Sequence, residues 1–183
     1  MLELRRQAFH LLLGIVIVAL VNYYILNLRI LLFILLIGII ISFLTNYFEI
    51  PGIQWFLDKF DRKNGKGFGV ITYFIGVVIV LGFFRKDIAL ASILILAFGD
   101  SFCHLGRFGK IKNPLNKEKL IEGLTIGVIA ATIAASFFVS VYIAFIGSLI
   151  AMILESLDLK IRGIVLDDNI LVPLSAAIVM SLV

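Results

Sequence analysis

A chain of 183 residues that is 62% hydrophobic and only 15% charged, with a mean hydropathy of +1.14, lies well above the roughly 45–50% apolar fraction of soluble domains and excludes an ordinary soluble fold. A single cysteine, Cys103, excludes any intrachain disulfide, so folding does not depend on an oxidising compartment. The net charge of +4 is the excess that the positive-inside rule produces in a membrane protein, and no nucleic-acid partner is needed to explain it.

Several apolar runs reach the ~18–20 residues that cross about 30 Å of hydrocarbon. They predict an all-α integral membrane protein, a single polytopic domain over 1–183 with about seven transmembrane helices. Residues 1–7 are short and basic, and the first span covers about 8–26, with no small-residue cleavage pattern of a signal peptide. A tight connection at 27–29 leads to a second span ending near Phe48. Residues 49–69 form the first substantial polar loop, with Asp58, Lys59, Asp61, Arg62, Lys63 and Lys66, and Pro51-Gly52 mark its start. The third span covers 70–84, Arg85-Lys86-Asp87 make a turn, and the fourth covers about 88–103. The apolar run 124–154 is too long for one span and just enough for two, turning near 136–140. A polar loop at 155–169 precedes a short last span over 170–183.

The charges orient these spans. Thirteen Lys and Arg fall on one side, in the N-terminus and the loops near 49–69, 103–123 and 155–169, against three on the other, Arg29, Arg85 and Lys86. Positive loops resist translocation, so the thirteen mark the cytoplasmic side and the N-terminus is cytoplasmic. Of the twelve carboxylates only Asp87 falls outside. The expected location is the plasma membrane of a prokaryotic cell, with the polar, chemically equipped face towards the cytoplasm. A carrier would show polar groups near mid-membrane and often paired repeats, and the sequence shows neither.

Four groups of residues carry the chemistry, each with a plainer reading beside it. Gly99 and Asp100 are followed by Gly106, Arg107, Gly109 and Lys110. A carboxylate at the edge of hydrocarbon is expensive to place there and is commonly paired, metal-bound or catalytic. Asp100 suits Mg²⁺, which binds through one or two carboxylates plus substrate phosphates; Arg107 and Lys110 suit phosphate. The plainer reading is a glycine-rich turn with topological charges. Lys119, Glu122 and Gly123 come next; Lys119 and Glu122 are three apart and share a face on a helix, as phosphate and metal ligands or as a surface ion pair. Asp167, Asp168 and Asn169 precede the last span, as site groups or as a helix cap. His10 lies one turn inside the first span, beyond Arg5 and Arg6, as a site group or a structural histidine. His10 and His104 with one cysteine do not make a zinc site, and no GxxxxGK[ST] is present.

In order, these pieces resemble the polyprenol kinase family: CTP-dependent dolichol kinases, phytol kinases and the yeast-type diacylglycerol kinase, distantly related to the phosphatidate cytidylyltransferases. The matching pieces are Glu3-Leu4-Arg5-Arg6 with Phe9-His10, Gly99-Asp100 with Gly106-Arg107-Phe108-Gly109-Lys110, Lys119 with Glu122-Gly123, and Glu155 with Asp168-Asn169 and Pro173. The sequence departs from the family where Leu120 follows Lys119 and Leu124 follows Gly123, positions where a hydroxyl residue is usual. The resemblance implies transfer of the γ-phosphate of CTP, with Mg²⁺, to the hydroxyl of a membrane lipid alcohol, a polyprenol or dolichol being favoured. It implies Asp100, Glu122, Asp168 and His10 as catalytic groups, with Asp100 and Glu122 as metal ligands. Gly99, Arg107, Gly109, Lys110, Lys119, Gly123 and Asn169 would bind nucleotide or phosphate. The alternatives are a CDP-lipid synthase and, from another class, a membrane transporter.

Overall fold

The structure, a computed structural model, describes residues 2–45, 47, 48, 50–60, 67–104, 109–113, 116, 120–157, 160, 161 and 164–183. Among these are eight helices: α1 (Leu2–Asn22), α2 (Leu28–Leu44), α3 (Pro51–Phe60), α4 (Phe68–Phe83), α5 (Lys86–Cys103), α6 (Ile121–Ala135), α7 (Val141–Ser156) and α8 (Asp168–Leu182). The only strands among them are β1 (Lys160–Ile161) and β2 (Ile164–Val165), an antiparallel pair with Lys160 opposite Val165.

Seven of the helices follow the seven apolar runs in order, and α6 and α7 divide the longest run at 136–140. Side-chain caps fix several starts: the Ile30 N–H donates to Asn27 Oδ1 at 3.1 Å, and the Ile143 N–H to Ser140 Oγ at 3.4 Å. One helix among the described residues, α1, is long and apolar enough over Leu4–Asn22 to cross a membrane; the other apolar helices are shorter. The eighth helix corrects the reading of 49–69 as a plain loop. Pro51 suits a first helical turn because its missing N–H would be unpaired there anyway, and Ile53, Phe56, Leu57 and Phe60 recur at a spacing of three and four, giving α3 one apolar face. Phe56 and Phe60 pack on Phe9 of α1 with ring centroids 5.2 and 5.4 Å away, while Lys59 lies 4.4 Å over the exposed Trp55 ring.

Helix α5 is the hub. It packs against α1, α4, α6, α7 and α8, and every residue from Ile88 to Ala97 is buried. Its small residues allow close crossing: a Cβ on Gly127 of α6 would meet the Gly99 carbonyl oxygen at 2.9 Å, so these backbones nearly touch. Packing of this kind gains dispersion energy from many weak contacts at near-crystalline density. The outer face of α2 is strongly apolar. In α2 only Leu31 is buried, while Phe33, Leu36, Ile40 and Phe43 are each half exposed or more, and exposed apolar residues grouped in this way mark a contact surface for protein or membrane.

The antiparallel run of helices sorts the molecule into two ends. At one, Lys86 Nζ donates to the Asn22 carbonyl at 3.1 Å and sits 3.5 Å over the Tyr24 ring, beside the exposed Arg85–Asp87 pair at 2.8 Å. At the other lie the starts of α1, α4, α6 and α8 and the ends of α5 and α7. The chemistry-bearing residues are at this second end.

Candidate active site

Asp100 sits in the last turn of α5, one residue past Gly99. The next residue, Ser101, is buried and donates its hydroxyl to the Gln7 carbonyl of α1 at 3.1 Å, which fixes the start of α1 against the end of α5. Asp100 faces His104 one turn on, with Oδ1 3.6 Å from Nε2 and side chains 20% and 25% exposed. The carboxylate is therefore neither sealed in the core nor fully hydrated. His10 lies in the adjoining turn of α1. Its ring meets Tyr73 of α4 edge-on at 5.2 Å, and the Tyr73 hydroxyl donates to the His10 carbonyl at 3.5 Å. A Cβ on Gly14 would strike both Ala97 and that hydroxyl, so Tyr73 sits where α1, α4 and α5 converge.

Glu122 is in the first turn of α6, ahead of the uncharged run that begins at Leu124. Its Oε1 accepts the backbone N–H of Lys110 at 2.8 Å and of Ile111 at 3.1 Å. The Ile121 N–H donates in turn to the Ile111 carbonyl at 3.0 Å, and Lys112 pairs with Leu120 in a single antiparallel bridge. The carboxylate thus pins the segment 109–112 alongside the start of α6. The Lys110 amide above all, then Glu122's own amide and, more weakly, that of Ile111, hold its carboxyl below the usual carboxylate range against a partial loss of hydration. Gly109 is required by this contact, since a Cβ there would stand 2.5 Å from the Glu122 carboxyl carbon. Gly123 is required by another, its Cβ position being 2.6 Å from the Cys103 carbonyl oxygen, which brings the start of α6 onto the end of α5. The Lys110 side chain is exposed.

At the start of α8 the cap is Asp167, whose side chain accepts the Asn169 N–H at 3.0 Å. Asp168 follows as the first helical residue, half-buried. Asn169 is buried and its amide nitrogen donates to the Gly69 carbonyl at 3.2 Å and to Thr72 Oγ1 at 3.1 Å, so this amide ties α8 to the start of α4. Gly76 lies hard against the Asn169 carbonyl and Pro173. Glu155, in the last turn of α7, is buried. Arg107 and Lys119, with Gly106 and Phe108, lie outside the described residues, as does the Arg62 region of the 49–69 stretch.

The structure thus brings Asp100, His10, Glu122, Gly109, Lys110, Gly123, Asp168 and Asn169 to one end of the bundle. Among the described residues no three His, Cys, Asp or Glu side chains cluster as a closed metal site. A partly exposed Asp100 fits Mg²⁺ without such a cage, because that ion keeps waters and is bound by one or two carboxylates together with substrate phosphates. Ser101, Tyr73 and Thr72 organise this end, yet their sequence setting does not show how: Tyr73 and Thr72 are hydroxyl residues in an apolar run, Ser101 stands beside Asp100, and the role of each lies in a partner 63 to 97 residues away.

No family model matches the chain, and no solved structure matches it. Two curated proteins do. The chain is 26% identical over 140 residues to a protein of Eremothecium gossypii named CTP-dependent diacylglycerol kinase 1, covering 61% of this chain and 43% of that one. It is 24% identical over 143 residues to the protein of the same name from Saccharomyces cerevisiae, covering 63% of this chain and 48% of that one. The matched part spans about half the length of these relatives. Similarity to both supports the family that the ordered motifs resemble, that of the CTP-dependent lipid kinases.

Proposed function

We propose that the chain is an integral-membrane lipid kinase that transfers the γ-phosphate of CTP to the hydroxyl of a membrane lipid alcohol, at a site on the cytoplasmic face of a prokaryotic plasma membrane. The observation that carries this reading is the convergence at one end of the helix bundle of Asp100, His10, Glu122 and Asp168, in a chain similar to CTP-dependent diacylglycerol kinases. The membrane setting rests on the apolar outer surface of α2, the seven antiparallel helices that follow the apolar runs, and the thirteen-to-three distribution of Lys and Arg. The favoured acceptor is a polyprenol or dolichol; the diacylglycerol of the relatives' names is the other hydroxyl lipid to be tested.

In this reaction the lipid hydroxyl oxygen attacks the γ-phosphorus, the bond from that phosphorus to the β-phosphate oxygen breaks, and CDP leaves. The hydroxyl proton passes to a carboxylate within hydrogen-bond reach. Phosphoryl transfer demands mostly positioning and charge neutralisation. Asp100 and Glu122 would hold Mg²⁺, which supplies positive charge to the phosphates when bound. Lys110, Arg107 and Lys119 would contact phosphate oxygens, Arg as a fork and Lys as a point charge. Glu122 has a further task, since its carboxylate also holds the backbone that carries Lys110.

The test uses purified protein in detergent with Mg²⁺ and CTP labelled in the γ-phosphate or in the base, offered polyprenol and diacylglycerol separately. γ-Label in the lipid with base label left as CDP establishes the kinase and identifies the acceptor. Base label in the lipid means a CDP-lipid synthase instead. If neither label moves, the kinase reading fails.

A further inference from the structure

Between α2, α3 and α4, at the end of the bundle that carries Asp100, lies a cavity of about 270 Å³. Its lining includes Gly38 and Ile41 of α2, Gly52 and Phe56 of α3, and Val70 and Ile71 of α4. None of its lining residues is charged, and of its two hydroxyls that of Thr45 donates to the Ser42 carbonyl at 2.7 Å. The wall therefore asks for an apolar occupant. At about 270 Å³ it exceeds the ~150 Å³ that takes one benzene ring and falls short of the roughly 300–1,000 Å³ that engulfs a whole drug-sized ligand. It fits a stretch of hydrocarbon chain.

A row of packed rings links the wall of the cavity to the candidate active site. Phe56 of its wall packs on Phe9 at 5.2 Å, Phe9 adjoins His10, and His10 meets Tyr73 at 5.2 Å. The turn of α1 carrying these residues is bonded through Gln7 to Ser101, next to Asp100. We infer that this cavity receives the hydrocarbon chain of the acceptor lipid, with the alcohol end lying towards Asp100 and α3 acting as the wall that holds the chain. The inference rests on the lipid kinase reading and adds a chain-recognition site to it.

Two glycines make it testable without unfolding the protein. Beyond their own turn of helix, neither Gly38 nor Gly52 has an atom within 4 Å of where a Cβ would stand, and neither has a positive φ. Both lie in helices, where glycine is the poorest of the ordinary residues, and both line the cavity, so Gly38→Phe and Gly52→Phe are expected to narrow it and keep the fold. The full chain in nanodiscs is given a long-chain alcohol bearing a photoreactive diazirine in its chain, once as a polyprenol and once as a diacylglycerol. Label is expected in the peptides of α2 and α3 that line the cavity and should fall at least fivefold in both variants. Selectivity for a long-chain over a short-chain alcohol acceptor should fall at least tenfold, while KM for CTP stays within twofold. Which probe labels the cavity, and competes for turnover, tells the acceptor class. Label elsewhere, or unchanged chain selectivity in both variants, overturns the assignment. Loss of thermal stability with unchanged selectivity would make the occupant a structural lipid. If no alcohol is phosphorylated by the wild type, the kinase reading fails, and the labelling pattern still decides whether the cavity holds a chain.

Discussion

Glu122 Oε1 lies 2.8 Å from the backbone nitrogen of Lys110, so a carboxylate at the start of one helix holds a loop segment twelve residues earlier in the chain. The second bond, from Ile111, comes to the same oxygen. A charged acceptor strengthens such bonds relative to neutral ones, and among the described residues the Lys112–Leu120 bridge and the Ile121 to Ile111 bond tie the same segment. Position of the Lys110 backbone is therefore expected to depend on the ionised Glu122.

Glu122→Ala should raise the hydrogen-exchange rates of the Lys110 and Ile111 amides at least tenfold and raise KM for CTP, with little change in thermal stability. Glu122→Gln keeps one carbonyl acceptor and should give a smaller effect on exchange. The pH dependence has a definite sign. Because the folded-state carboxyl sits below the usual range, the clamp is fully present above the ordinary carboxylate value and is lost as pH falls through the lowered one. Exchange at the two amides, corrected for its intrinsic pH dependence, should stay flat around neutrality and rise only in acid. Unchanged protection in the alanine variant would show that the segment is held without this carboxylate.

Gly109→Ala tests the same contact from the opposite side. A Cβ at 109 meets the Glu122 carboxyl carbon at 2.5 Å, an oxygen at 2.6 Å and the Glu122 Cβ at 2.9 Å. Moving the carboxyl relieves the first two contacts and not the third, so the 109–112 segment must also shift off the start of α6, and the cost should fall on the clamp and not on the buried bundle. The expected result is the exchange phenotype of Glu122→Ala at a melting temperature close to wild type. In the double variant the effects should be clearly less than additive, as for two changes to one contact.

The helix bundle was largely legible in the sequence because apolar runs announce themselves by length. Even the least regular break, at 136–140, was marked by serines between two runs, and Ser140 caps α7. Helix α3 was hidden because ten residues within a charged stretch carry only one short apolar face, and that face matters through Phe9, far off in α1. The carboxylates of the site stood out for their position beside hydrocarbon. Their partners did not, because Glu122 bonds to backbone amides, which every residue possesses. Asn169 was visible as a polar residue at the start of a span, whereas its partners Gly69 and Thr72 lie about a hundred residues earlier.

Asn169→Ala separates an anchoring role from a nucleotide-binding one. The side chain makes two hydrogen bonds at the junction of α4 and α8. Removing it costs both bonds but strands neither acceptor, because the Thr72 hydroxyl still donates to the Gly69 carbonyl at 3.1 Å. A buried hydrogen bond contributes about 0.5–1.5 kcal/mol net, so loss of the two should destabilise the variant by roughly 1–3 kcal/mol. In a Thr72→Val background the same change should cost less, since one partner is already gone. A nucleotide-binding asparagine predicts a raised KM for CTP at unchanged stability. Denaturation and kinetics on one preparation distinguish the two, and both effects together would mean that the residue does both.

Asp100→Asn bears most directly on the chemistry. The substitution keeps the side chain's size and removes its charge, and among the described residues the ionic neighbour of the carboxylate is His104 at 3.6 Å, with both side chains partly exposed. Folding should therefore survive: Ser101 still bonds to Gln7, and α5 keeps its buried face from Ile88 to Ala97. Turnover should not. Loss of a group that stabilises charge in the transition state typically costs roughly 10²–10³-fold, and a metal-binding carboxylate in phosphoryl transfer should reach at least that. The expected result is a kcat lowered by about 10³-fold at a melting temperature near wild type, with the residual activity showing a raised requirement for Mg²⁺. That last readout matters, because a carboxylate serving only as base would lower kcat and leave the metal dependence unmoved. Near-normal turnover in a folded Asp100→Asn protein would remove Asp100 from the site altogether and shift attention to Asp168 and Glu155 at the same end of the bundle.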